Sequence, residues 1–370
     1  MKKLGFGLMR LPVTDKDDQS RIDLKQLKKM ADIFVENGFT YFDTAYMYHE
    51  NASEKAVKKA IVARYPRESF LLATKLPTMF LKEQSDQERI FAEQLEKCGV
   101  DYFDYYLLHN LNAENYATAE KFGSFAFVSE MKKQGKIRHM GFSFHDTAEL
   151  LDRILSEHPE TEFVQLQINY LDWDDPEIQS RKCYETAVRH GKKVVVMEPV
   201  KGGTLTKLPE EAAALLKSVH PDWTYAGWAL RFVAGLDGVM VVLSGMSNTE
   251  QMLDSVSFMS DCAPLTEEEL ALLGKVTKLI NEQKRIGCTA CRYCTEGCPS
   301  NIAIPEYFAL YNACVTRADD LQNLKAQYKD YTRDFGAASR CIKCRSCESA
   351  CPQHLPVTDL LEKVAERFER

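Results

Sequence analysis

The sequence predicts an α/β fold: a (β/α)8 TIM barrel followed by a small, mostly α-helical module. Three observations carry that prediction. Eight short apolar runs alternate with longer amphipathic stretches over about residues 1–260, at the roughly 30-residue spacing of successive βα units. The first run continues into proline (GFGLMRLP) with no G-x-G-x-x-G turn, which a doubly wound open sheet would normally show. After residue 287 the composition changes, and eight of the twelve cysteines crowd into two short runs.

The candidate strands are LGFGLM (4–9), YFDT (41–44), FLLATK (70–75), YYLLH (105–109), HMGFS (139–143), FVQLQI (163–168), KVVVME (193–198) and VMVVLS (239–244). Helical patterns fall between them, among them LKQLKKMADIFVENG, SEKAVKKAIVARY and FAEQLEKCG. Two of these close on glycine, a usual helix stop. TEEELALLGKVTKLINEQKRIG reads as one capped amphipathic helix ending at Gly287, and two helices are expected between the cysteine runs. The expected domains are a barrel over 1–285 and a helical module over 286–370.

The net charge is -7 and no run of lysine or arginine occurs, which argues against nucleic acid or an anionic membrane as partner. Arg10, Pro12 and the DKDD stretch cut short any apolar N-terminal run, so no signal peptide is read. No segment approaches the ~18 apolar residues of a membrane span. The expectation is a soluble cytoplasmic protein, whose clustered thiols point to metal rather than disulfides. Cys98, Cys183, Cys262 and Cys314 are scattered and are expected to be small buried apolar residues.

Three ionisable residues stand at the ends of three successive strands: Asp43 after TYF, Lys75 after LLAT and His109 after YYLL. Catalytic residues of such barrels come from the C-terminal ends of several strands. Each alone has an ordinary structural reading, but together they converge on one spot. Tyr48, in the next loop, can hang over it. A phenol is a weak acid, with an ordinary pKa of ~10, and a neighbouring ammonium eases its proton transfer. Asp43 would hold Lys75, and His109 would orient a polar substrate group. The set suits proton delivery to a carbonyl oxygen while hydride reaches the carbon.

At GFGLMRLP, FDTAYMYHENASE, ATK, DYYLLH and GFS, the chain resembles the aldo-keto reductases over about residues 3–260. That resemblance implies a (β/α)8 barrel and nicotinamide-dependent interconversion of a small-molecule carbonyl and an alcohol. It carries the catalytic tetrad onto Asp43, Tyr48 (the proton donor), Lys75 and His109. It places Ser143, Gln167 and the nearby Asn169 at the nicotinamide carboxamide. LSGMSNTEQMLDSV matches the adenosine-phosphate segment, pointing to Gly245, Ser247 and Gln251. Gln251 stands where many members have an arginine for the 2′-phosphate, which leaves NADPH and NADH both open. Met197 takes the place of the tyrosine that stacks on nicotinamide. Trp173, Phe122 and Tyr116 lie in loops that could wall a substrate pocket, with ordinary packing as the alternative.

The cysteine runs are CTACRYCTEGCP, with Cys288, Cys291, Cys294 and Cys298, and CIKCRSCESACP, with Cys341, Cys344, Cys347 and Cys351. Zinc sites usually show paired C-x2-C units, whereas a doubled C-x2-C-x2-C-x3-C-P is a [4Fe–4S] signature in which the fourth cysteine ligates the other cluster. The motif assigns Cys288, Cys291, Cys294 and Cys351 to one cluster and Cys341, Cys344, Cys347 and Cys298 to the other. The module resembles the α-helical di-cluster ferredoxin modules fused to various oxidoreductases. Two functions are weighed for it. The clusters exchange electrons with a redox partner protein or with the barrel, or they are structural or redox-sensing. A hydride carries two electrons together and a cluster takes one, so a relay from the nicotinamide is not implied.

Overall fold

Eight parallel strands close into a barrel in chain order: β1 (Leu4–Gly7), β2 (Tyr41–Asp43), β3 (Leu71–Leu76), β4 (Phe103–Leu111), β5 (Ile137–Phe144), β6 (Phe163–Gln167), β7 (Lys193–Met197) and β8 (Val239–Ser244). The computed structural model describes residues 2–15, 18–316 and 320–370. It comprises two compact units. One contains the chain up to Val200 together with Ala226–Leu270, and the other contains Lys201–Tyr225 with Ala271–Arg370. Each of the eight apolar runs forms a strand of the first unit. They are apolar nearly throughout because a parallel sheet is buried on both faces.

Side chains alternate across a strand, so residues two apart share a face. Tyr41, Ala73, Leu107, Phe163, Val195, Val241 and Leu243 pack together inside the barrel, with Leu71, Tyr105 and Met240 against them. The rings of Tyr41, Tyr105, His139 and Phe163 add to this packing. Gly5 is part of the same layer: a Cβ there would lie 2.7 Å from the side chains of both Val241 and Leu243. Two residues on from this layer, on the same faces, come Asp43, Lys75, His109 and Met197. The alternation that fills the barrel thus also stacks the polar residues at the C-terminal ends of the strands.

The helices start and stop for local reasons. Asp23 caps helix Leu24–Glu36 by accepting the Gln26 N–H at 3.0 Å, and Ser85–Cys98 ends on Gly99 at φ 71°. Ser53–Val57 continues as a wider turn over Lys58–Val62. The helix expected to reach Gly287 covers Glu267–Glu282 instead. Lys284 adopts φ 49°, and the Asn312 amide brackets the Ile286 backbone, accepting its N–H at 2.7 Å and donating to its carbonyl at 2.8 Å. That bracket draws the chain off the helix just before the first cysteine.

The second unit has its own core, including Ile286, Ile304, Tyr307, Phe308, Tyr328, Leu361 and Val364. The two expected helices lie between the cysteine runs, at Ile304–Thr316 and Leu321–Asp334. Cys98, Cys183 and Cys314 are buried as expected, while Cys262 is half-buried, and none of the twelve cysteines is paired in a disulfide. No helix among the described residues is long and apolar enough to cross a membrane.

Candidate functional site

Asp43 is the last residue of β2, Lys75 lies one residue before the end of β3, and His109 lies in β4 two residues before its end. All three are almost wholly buried, at 2%, 1% and 3% exposure. The Lys75 ammonium donates to Asp43 Oδ1 at 2.6 Å, to the Thr44 carbonyl at 2.8 Å and to Tyr48 Oη at 3.4 Å. The Tyr48 and His109 rings meet edge to face with centroids 6.0 Å apart. The four residues expected to converge are therefore brought together, linked in the order Asp43, Lys75, Tyr48 and His109.

Burial pushes the Asp43 carboxyl up and the Lys75 ammonium down, while each partner pulls the other back toward its charged form. Burial, helped by Lys75 and His145, holds His109 well below the usual imidazole range. Its ring is therefore neutral near pH 7. A neutral imidazole can donate or accept a hydrogen bond without adding a second positive charge beside Lys75.

The loop that carries Tyr48 is held from behind. His49, Glu50 and Asn51 are consecutively left-handed, with φ of 54°, 53° and 67°, a conformation costing about 1–2 kcal/mol per non-glycine residue. His49 offsets part of this. Its Nε2 accepts the Leu11 N–H at 3.0 Å, so its Nδ1 carries the proton and donates to the Gln19 carbonyl at 2.9 Å. The Ser53 and Thr44 hydroxyls bond at 2.8 Å. Buried Glu54 accepts from Thr74 and from the Gln94 amide, both at 2.8 Å. Sequence reasoning did not single out His49, because one histidine in a loop carries no pattern.

At the end of β5, Ser143 Oγ accepts the Asn110 N–H at 2.7 Å, and Asn110 sits at φ 57° beside a register shift in β4. Gln167 and Asn169 both donate to Asp172 Oδ2, at 3.0 and 2.8 Å. Asn169 also donates to the Glu198 carbonyl and accepts the N–H groups of Leu171 and Asp172. Its side-chain amide is thus committed to folding the loop. Asp172 was missed as an organiser; its only sequence signal was the acidic DWDD stretch.

After β8, Asn248 caps helix Thr249–Ser260 by accepting the Gln251 N–H at 2.9 Å, and the Gln251 side chain folds back to accept the Ser247 N–H at 2.8 Å. A Cβ on Gly245 would lie 3.3 Å from Arg10, whose guanidinium pairs with Glu198 at 3.5 Å. This places a cation beside the loop at the helix N-terminus, where backbone N–H groups favour anions. Arg10 carried no signal in the sequence. Met197 is partly exposed at the end of β7. Of the suggested pocket walls, Trp173 packs on Tyr184 and Phe232. Tyr116 is buried, with its hydroxyl on Glu157, and Phe122 is half-buried at a helix end, its carbonyl accepting from Gln87.

In the second unit the cysteines ring two separate cavities. Cys288, Cys291, Cys294 and Cys351 line one. Cys298, Cys341, Cys344 and Cys347 line the other. Each set takes its fourth cysteine from the other run. Burial, then neighbouring Cys291, Cys288 and Cys351, raises the Cys294 thiol. Burial, then Glu348 and Cys341, with Cys298 contributing, raises Cys347 to about 11. Among the described residues no three His, Cys, Asp or Glu side chains are arranged to hold a single metal ion. The donor sets fit a larger thiolate-ligated group.

Comparisons with known proteins match both parts of the chain. A family model described as "4Fe-4S dicluster domain" matches residues 287–355. The chain is 25% identical over 311 residues to the uncharacterized oxidoreductase YqkF of Bacillus subtilis, covering 75% of this chain and 93% of that one. A 124-residue stretch is 36% identical to the methylglyoxal reductase YeaE of Escherichia coli, covering 31% of this chain and 38% of that protein. Among solved structures, aldo-keto reductase AKR11C1 from Bacillus halodurans in its holo form superposes with a TM-score of 0.59 at 25% identity, covering 74% of this chain and 91% of that one. The aldo-keto reductase from Klebsiella pneumoniae in complex with NADPH shares the fold at 20% identity, with a TM-score of 0.56 over 74% of this chain and 90% of that one. The family model described as "Aldo/keto reductase family" matches residues 3–278, and with the eight-stranded parallel barrel beneath it, the chain belongs to the aldo/keto reductase family of oxidoreductases and carries a 4Fe-4S domain after its barrel.

Proposed function

We propose that the barrel, over residues 1–285, interconverts a small-molecule carbonyl and its alcohol, and that the module over 286–370 holds two [4Fe–4S] clusters. The single observation that carries the first part is the Lys75 ammonium set between the Asp43 carboxylate and the Tyr48 hydroxyl. NADPH or NADH, when bound, supplies the hydride. Tyr48 delivers the proton to the carbonyl oxygen, and Lys75 stabilises the phenolate left behind. Asp43 keeps Lys75 in position, and neutral His109 orients the substrate oxygen. Ser143 and Gln167 suit the nicotinamide carboxamide, with Asn169 shaping the loop beside them. Gly245, Ser247 and Gln251, at the N-terminus of helix Thr249–Ser260, suit the adenosine phosphate.

Replacing Tyr48 by Phe tests the barrel reading. Carbonyl reduction should fall by roughly 10²–10⁴, with iron content and brown colour unchanged; retained activity would sink the assignment.

For the module, the sorting of the cysteines into two crossed sets supports two clusters. The clusters, when bound, take up and release single electrons. Anaerobic addition of NADPH distinguishes its two roles. Bleaching of the cluster absorbance supports exchange with the barrel, and an unchanged spectrum favours a separate redox partner protein or a structural role.

A further inference from the structure

The two cysteine runs fold as one repeated unit. Ala290 and Lys343 (φ 54° and 57°), Arg292 and Arg345 (66° and 62°) and Asn301 and His354 (48° and 50°) are left-handed pairs, each 53 residues apart. Helices Ile304–Thr316 and Val357–Phe368 begin with the same separation. The amide of Ala290 donates to Cys288 Sγ, and that of Lys343 to Cys341 Sγ, both at 3.4 Å. Matched positions in the two halves therefore share a backbone conformation, and differences in burial between them come from what packs outside the repeat.

One difference is at Thr289 and its counterpart Ile342. Thr289 is 2% exposed and Ile342 is 67% exposed. The turn beginning at Lys201 covers the first and not the second. A Cβ on Gly202, at φ +60°, would lie 2.6 Å from the Thr289 carbonyl oxygen, so only glycine permits this approach. The same turn carries Lys201, which with Lys75 makes up the buried lysines and arginines among the described residues. Lys201 Nζ donates to Gln353 Oε1 at 3.1 Å, and its Cε lies 3.7 Å from the position of a Cβ on Gly287. Gln353 and Thr289 both line the cavity of Cys288, Cys291, Cys294 and Cys351. Arg292 lines that cavity and its counterpart Arg345 lines the other. The second run also has Arg340 and Lys343 where the first has Gly287 and Ala290, but both are exposed to solvent, so Lys201 is the buried cation that only the first half has.

We infer that Lys201 is the positioning charge of the first cluster, holding its reduction potential above the value the repeated ligand loop would set by itself. The inference rests on the reading of the two cavities as [4Fe–4S] sites. Reduction adds one electron and breaks no bond, so the added negative charge must be stabilised where it lands. A fixed ammonium in a buried, weakly screened site does this, and it acts on the near cluster far more than on the far one.

The test is an anaerobic dithionite titration of the full, cluster-loaded chain, followed by electron paramagnetic resonance. Cys351→Ser and Cys298→Ser identify the two signals. Lys201→Met should lower the first cluster's reduction equilibrium constant tenfold or more, about 59 mV for a one-electron couple, and leave the second unchanged. Lys201→Arg should restore most of the difference. If the Met variant loses iron, Lys201→Gln removes the charge while keeping a polar end, and the same shift is expected. Midpoints that do not move, or that move together, overturn the inference. Wild-type protein carrying only one cluster overturns the two-cluster reading beneath it, and iron analysis detects that separately.

Discussion

Lys75 donates to Asp43 Oδ1 at 2.6 Å with both side chains almost sealed from solvent. The pair anchors the group that includes Tyr48 and is a vulnerable point of the fold. Stripping one partner from a buried ion pair costs about 3–5 kcal/mol, because the other charge is left uncompensated. Asp43→Ala should show that loss in chemical unfolding. The double variant Asp43→Asn, Lys75→Met should recover part of it while remaining inactive. If the single variant is as stable as wild type, the two residues do not form a charged pair.

The histidines set the acid side of the stability profile. Burial holds both His109 and His49 below the ordinary imidazole value. The unfolded chain binds protons near pH ~6.5 that the folded chain excludes. Stability therefore rises with pH in the window below ~6.5 and is lost as the pH falls through it. Substituting His109 by Gln should shrink the difference in urea midpoint between about pH 7.5 and about pH 5.5. An unchanged difference would mean that His109 titrates alike in both states.

The crossed ligand sets predict an exchange of damage. Cys298→Ala removes a residue of the first run but should impair the cluster of Cys341, Cys344 and Cys347, whose cavity it lines. Cys351→Ala should impair the cluster of the first run. Spectroscopy with iron counting follows each. Damage confined to each cysteine's own run refutes the crossing.

Nucleotide choice should turn on Gln251, which now serves its own loop by accepting the Ser247 N–H. Gln251→Arg offers a cation to a 2′-phosphate, and a charge-assisted hydrogen bond is worth about 1.5–3 kcal/mol. NADPH should therefore bind roughly 10–100-fold more tightly relative to NADH, as read from fluorescence titrations with each nucleotide. Equal changes for both would show that the side chain does not reach that phosphate.

Local pattern was enough for the barrel strands, the two helices between the cysteine runs and the meeting of Asp43, Lys75 and His109. Period-two alternation decides which face a residue takes, and parallel closure in chain order brings neighbouring strand ends together. The cysteine spacing likewise anticipated which cysteines line each cavity. Other features depended on groups far apart in sequence. Glu267–Glu282 stops short because Asn312, 26 residues beyond Ile286, captures the chain. His49 supports the Tyr48 loop through Leu11 and Gln19, and Gln167 and Asn169 gather on Asp172. Lys201 reads as one more lysine until the fold sets it against Gln353, 152 residues away. A single polar residue has no periodicity to betray it, and its role is decided by which distant donor, acceptor or charge the folded chain places beside it.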